Sequence, residues 1–227
     1  MRRGWLEADA LAAWLAGDHA RAQRSVREAI ADGAGYAAWE QGASAAISAG
    51  DLREADRCLG AMATTLDPRR TQDVAHMHFL NGARRRIGGD DDGAVRHIDA
   101  CLAEDRTNIP VYFVTLWELG HAHLMIAGGH ARAAGTRLAV VLGRASSHYW
   151  SFLRFSALLS RTWLRLREGR PAEAAEDLRV ALSLAVIGRF RNCDPWWDPE
   201  AMVEIARFAQ SIPHDEATLR SFVARNG

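Results

Sequence analysis

Gly169-Arg170-Pro171-Ala172-Glu173-Ala174-Ala175-Glu176-Asp177-Leu178-Arg179-Val180-Ala181-Leu182 carries the architecture of this chain. A glycine is followed by an alanine five residues on, a leucine nine on and another leucine thirteen on. Those three offsets are four apart, so on a helix they form one stripe. Pro171 suits the first turn of that helix, where its missing N–H costs nothing. The same frame recurs upstream: Gly17 with Ala22, Gly50 with Ala55, Gly89 with Ala94 and Gly129 with Ala134. The glycines stand 33, 39, 40 and 40 residues apart, a period that signals stacked helical repeats.

Further columns keep this register. Nine residues after each glycine stand Val26, Leu59, Ile98, Leu138 and Leu178, and thirteen after stand Ile30, Ala63, Leu102, Leu142 and Leu182. Seven before stand Ala10, Ala43, Gly82, Ala122 and Thr162. The alanine and the residue seven before the glycine are small so that the two helices of a pair can approach closely. The glycine ends the first helix in a left-handed cap, and Asp18, Asp51 and Asp90 then start the second. This predicts first helices near 5–16, 35–49, 71–88, 110–127 and 148–168, and second helices near 19–32, 52–65, 91–104, 131–144 and 172–188. Breakers such as Asp32-Gly33-Ala34-Gly35, Asp67-Pro68 and Thr107-Asn108-Ile109-Pro110 fall between the pairs.

The bulk numbers agree with a globular chain. Hydrophobic residues make up 48% of the 227, enough for a sizeable core. Basic and acidic residues number 28 each, with no lysine among them, and this balance argues against a dedicated nucleic-acid surface. Cys58, Cys101 and Cys193 are too far apart in sequence to form a local zinc or redox pair, and so sparse a count fits a reducing cytoplasm. Glu7 and Asp9 interrupt the N-terminal stretch where a signal peptide would be apolar. No apolar run approaches a bilayer span.

A small residue, Gly, Ala, a large apolar residue and Leu at these offsets resemble the tetratricopeptide consensus. The longer spacing is similar to the helical-repeat region of the large bacterial ATP-dependent transcription regulators, the group that includes the maltose-responsive activator. Leu178-Arg179-Val180-Ala181-Leu182-Ser183-Leu184-Ala185 resembles their "LRRALALA" segment, and Trp196-Trp197-Asp198-Pro199-Glu200-Ala201-Met202 resembles "WWRPEVM". Asp215–Gly227 is similar to the closing "EYVRRLIRRRGL", with Ala217 and Thr218 in place of Tyr-Val and Asn226 in place of Arg. The resemblance implies an all-α, right-handed α-α superhelix: a single domain over 1–227 with pairs at 1–33, 34–67, 70–106, 110–146 and 148–190 and a diverged C-terminal pair at 196–227. It also implies the non-catalytic arm of a cytoplasmic regulator, excised or stand-alone, that binds a protein or peptide partner or a small-molecule inducer. No phosphate-loop motif is present, and the chain has no lysine to complete one.

Stacked pairs line a groove with their first helices. The frame places His76, Phe79 and Arg86 on that side in the third pair, Leu119, His123 and Ile126 in the fourth, and Trp163 and Arg167 in the fifth. Aromatic, Arg and His residues around one concavity suit a peptide or a sugar-like ligand; the alternative is that they pack between helices. No cofactor is expected. His76/His78 and His121/His123 are each two residues apart, which points them about 200° apart on a helix and cannot grip one metal. Arg84-Arg85-Arg86 and Asp90-Asp91-Asp92 suit a helix end and a helix start and can pair across the turn. Asp194–Glu200 reads as a helix start capped by Asp198, its tryptophans covering the last repeat, or as an aromatic ligand platform.

Overall fold

The computed structural model describes residues 2–194 and 196–212. Eleven helices and no strand are present among them: α1 Arg2–Leu15, α2 His19–Ala31, α3 Tyr36–Ser48, α4 Leu52–Thr65, α5 Thr71–Ile87, α6 Asp91–Ala103, α7 Val111–Ala127, α8 Ala131–Ser147, α9 Ser151–Arg167, α10 Pro171–Gly188 and α11 Pro199–Ser211. The closing segment Asp215–Gly227, and with it the second helix of the diverged C-terminal pair, lies outside the described residues.

All five frame glycines have positive φ, between 68° and 80°. Each closes its helix in the same way. Gly17 N donates to Trp14 O, and Asp18 N to Ala13 O. Asp51 N repeats this on Ala46 O, Asp90 N on Arg85 O, His130 N on Met125 O and Arg170 N on Arg165 O. This is the Schellman closure, in which two late amides satisfy the orphan carbonyls of the last turn. In the first three pairs the residue after the glycine also opens the next helix. The carboxylates of Asp18, Asp51 and Asp90 accept from the amides of Arg21, Glu54 and Gly93 at 2.8–3.0 Å. One aspartate therefore ends a helix with its amide and starts another with its side chain. This fixes the turn at three residues and folds the second helix back on the first.

The frame columns are buried. Ala22, Ala55, Ala94, Ala134 and Ala174 are at most 1% exposed, and the five residues seven before the glycines are buried as well. The third stripe position differs from expectation. Thirteen after the glycine, Leu142 and Leu182 are buried but Ala63 is exposed and Ile30 and Leu102 are half-buried, whereas twelve after, Ala29, Met62, Cys101, Val141 and Ala181 are all fully buried. Helix geometry supplies the reason: a step of seven residues from the alanine returns to within about 20° of it, while a step of eight overshoots by about 80°. Replacing Ala94 or Ala134 by leucine forces side-chain volume into these close contacts and is expected to cost about 1–3 kcal/mol in denaturant unfolding; an unchanged midpoint for either would mean the frame is out of register there.

A turn without glycine escaped the frame. α8 runs on to Ser147, and Tyr149 (φ 57°, 90% exposed) holds the left-handed cap position while Trp150 N closes onto Ala145 O. α9 consequently starts at Ser151. A non-glycine residue in this conformation costs about 1–2 kcal/mol. Tyr149→Gly should therefore raise stability, by about 1 kcal/mol after the entropy of glycine is set against it. A lower melting temperature for the variant would contradict the assignment.

Contacts divide the chain into two compact units, Met1–Trp117 with Asp194–Trp196 and Glu118–Cys193 with Trp197–Gly227. In the first, α1/α2, α3/α4 and α5/α6 are packed pairs, and α1, α3 and α5 also contact their neighbours in succession. In the second, α9 packs on α8, α10 and α11. α11 starts as its sequence requires: the Asp198 carboxylate accepts from Glu200 N and Ala201 N, and Pro199 occupies the first turn. Trp196, expected to cover the last repeat, instead belongs to the third pair. Its Nε1 donates to Phe79 O at 3.1 Å, and its ring lies where a Cβ on Gly82 would meet it at 2.6 Å. Gly82 is small because an indole from 114 residues further along the chain fills the space. No described helix is long and apolar enough to cross a membrane.

Candidate binding surfaces

In the first unit the residues singled out on α5 sit within a polar–aromatic cluster. His76 is 5% exposed. Its Nδ1 accepts from Trp117 Nε1 at 3.1 Å, and its Nε2 lies 3.2 Å from Glu40 Oε1 on α3. An indole can only donate, so the imidazole proton sits on Nε2 and points at the carboxylate. The rings of Phe79, stacked at 5.3 Å, and Phe113, edge-on at 5.5 Å, enclose it. Beside them Tyr36 donates to Asp73 O at 2.7 Å, and burial pushes its phenol far above its usual range. Burial also raises the Asp73 carboxyl, although Arg70 stands 3.0 Å away. Phe79 is fully buried and Arg86 is 8% exposed. Tyr36, Glu40, Asp73 and Trp117 were not foreseen, because the repeat frame identifies which face is small and apolar but not which polar groups meet across pairs.

His78 and His97 form a second titratable pair, their Nδ1 atoms 3.1 Å apart. One proton serves both nitrogens, and a second would set two N–H groups against each other. Burial, then His78, Arg85 and Arg96 hold the His97 pKa below its usual value, with Asp90 opposing them. A histidine whose folded pKa is depressed binds fewer protons folded than unfolded. Its contribution is present above the unfolded pKa of about 6.5 and is lost as pH falls below it. Stability should therefore decline between about pH 7 and pH 5, and His97→Asn should flatten that part of the profile; an identical slope in the variant would assign the loss to other groups.

In the second unit, His123 is 1% exposed on α7. Its Nε2 lies 2.7 Å from Ser160 Oγ, which donates its one proton to Ser156 O at 2.9 Å. The imidazole therefore donates and the hydroxyl is already committed. Trp197 meets the His123 ring edge-on at 5.2 Å. Trp163, 5% exposed, donates to Glu204 at 3.1 Å and carries the Arg167 guanidinium over its ring at 5.5 Å. Leu119 and Ile126 are buried, and only Arg167 of the eight residues singled out is exposed. Most of these side chains are thus engaged in packing within their own unit.

No protein-family model matches this chain, and no characterised protein matches it.

The second unit also carries an open groove of about 800 Å³ along the α7–α8 hairpin. Met125, Ala133 and Val140 give it an apolar floor, and His130, Arg132, Arg137 and Glu118 border it. The Glu118 carboxylate is held by Arg144 at 2.7 Å. The frame could not reveal this groove, since its residues other than Gly129 lie off the repeat columns. Among the described residues no group of three His, Cys, Asp or Glu side chains is arranged to hold a metal ion. Cys58, Cys101 and Cys193 are free and buried, and burial raises the Cys58 thiol to about 11 and lifts Cys101 further.

Proposed function

We propose that this chain is a non-catalytic, tetratricopeptide-like repeat module, its pairs stacked in a right-handed superhelix, acting as the ligand-sensing or protein-interaction arm of a cytoplasmic bacterial ATP-dependent transcription regulator. The observation that carries this reading is the set of five glycine turns with one conformation and one closing hydrogen-bond pattern. Identical turns spaced along a chain serve stacking, and stacked pairs offer extended surface for recognition. The columns that repeat are consumed by packing, so recognition falls to residues that differ between pairs.

A second reading, a stand-alone protein–protein adaptor without a small-molecule ligand, is favoured by the burial of seven of the eight first-helix residues. Side chains already bonded within their unit leave less for a small ligand to engage. A thermal-shift series with sugars, nucleotides and peptides separates the two. A metabolite present at a hundred times its Kd should stabilise the chain by about 2.7 kcal/mol. Such a shift supports the sensor. No shift with any metabolite, together with a shift by peptide, supports the adaptor. Turnover of any compound in the series would overturn both.

A further inference from the structure

The groove on the α7–α8 hairpin combines an apolar floor with two arginines at its border. Several arginines are matched by carboxylates: Arg57 with Glu54, Arg69 with Asp67, Arg84 with Asp56, Arg85 with Asp90, Arg144 with Glu118, and Arg161 with Asp177. Arg132 and Arg137 line the groove, and neither guanidinium has an ion-pair or hydrogen-bond partner among the described residues. The first turn of α8 contains no acidic residue to offset them, and the one carboxylate bordering the groove, Glu118, is already neutralised by Arg144. Between the cations the floor is apolar, and Val140 on it is 44% exposed.

We propose that this groove is a docking site for an acidic segment of a protein partner, one that sets an apolar side chain on Met125, Ala133 and Val140 and carboxylates against Arg132 and Arg137. Three features select this occupant. The uncompensated charge is positive, so the complementary surface is negative. Arginine forks bind carboxylates in two-point geometry. The groove is open and its floor apolar, which suits a side chain arriving on a chain of its own and gives a free anion no enclosed donor set. The proposal concerns a surface distinct from the first-helix groove and does not depend on the regulator reading. Failure of every metabolite in the thermal-shift series leaves it standing.

The test is fluorescence anisotropy on the full chain with a short labelled peptide of alternating glutamate and leucine pairs. The peptide should bind, and binding should weaken with added salt. The same peptide with glutamine in place of glutamate should bind about tenfold or more weakly. The double variant Arg132→Glu/Arg137→Glu should lose a similar factor with its melting curve unchanged, because neither guanidinium serves the fold. Val140→Asp should weaken the peptide as well, by removing the apolar seat. Absence of binding, equal affinity for the glutamine peptide, or indifference to the double charge reversal would each overturn the proposal. Displacement of the peptide by inorganic phosphate at constant ionic strength would also overturn it, in favour of a small-anion site.

Discussion

Trp196→Ala is expected to lower the unfolding free energy by about 4 kcal/mol. The indole is fully buried, among the largest side chains in the interior. Its removal leaves a cavity against Phe79 and Gly82 and withdraws the donor from Phe79 O. Trp196→Phe should keep much of the apolar contact and lose the hydrogen bond, costing about 1–2 kcal/mol. Gly82 supplies an internal check on the sign. In an exposed helix interior, glycine to alanine stabilises by about 1 kcal/mol. Here a Cβ would stand 2.6 Å and 2.7 Å from two indole carbons and 3.2 Å from His97 Cβ. Gly82→Ala should therefore destabilise the native protein, and should become nearly neutral or stabilising once Trp196 is alanine. Denaturant midpoints for the four chains of this cycle decide the matter; additive effects would show that the two residues do not touch.

Asp177→Ala should cost about 2–3 kcal/mol. The Asp177 carboxylate is 6% exposed and takes Arg161 in a two-point pair at 2.6 and 2.7 Å, with Arg165 at 2.6 Å as a third contact. Cutting the carboxylate leaves two guanidiniums side by side without their shared anion. The cost is held below that of a fully buried triad because the arginine side chains are 31% and 17% exposed and water partly screens them. Arg165 also keeps Glu173, through the backbone carbonyl at 2.8 Å and the carboxylate at 3.5 Å. The loss should shrink in high salt, where repulsion between the two cations is screened. A loss under about 0.5 kcal/mol would place this network with ordinary surface pairs.

Neither Trp196 nor Asp177 announced its weight in the sequence. Asp177 reads as one more acidic residue in the second helix of the fifth pair, and its meaning comes from Arg161 and Arg165 on α9 facing it. Trp196 belongs to a segment that reads as a cover for the last pair or as an aromatic platform, yet its ring is seated on α5. His76 and His123 read as groove-facing recognition residues or as packing between helices, because they are polar on first helices. Each is buried because its nitrogens find fixed partners: Trp117 and Glu40 for one, Ser160 for the other.

Local chemistry was legible wherever it alone sets the conformation. The five glycines, the three capping aspartates, the close-packing alanines and the start of α11 at Asp198-Pro199 follow from backbone sterics and from hydrogen bonds that span six residues or fewer. These rules act within a single turn, so the sequence states them directly and the ten helices of the five pairs fall close to their expected bounds, except where Tyr149 does the work of a glycine. Tertiary packing settled the rest. It set which stripe position is buried, which first-helix side chains are consumed internally, which indole fills the space above Gly82, and that Arg132 and Arg137 border a groove without ion-pair partners among the described residues. Those outcomes depend on residues far apart in the chain arriving at one place, and a repeat frame encodes the spacing of each pair but not what each pair will meet.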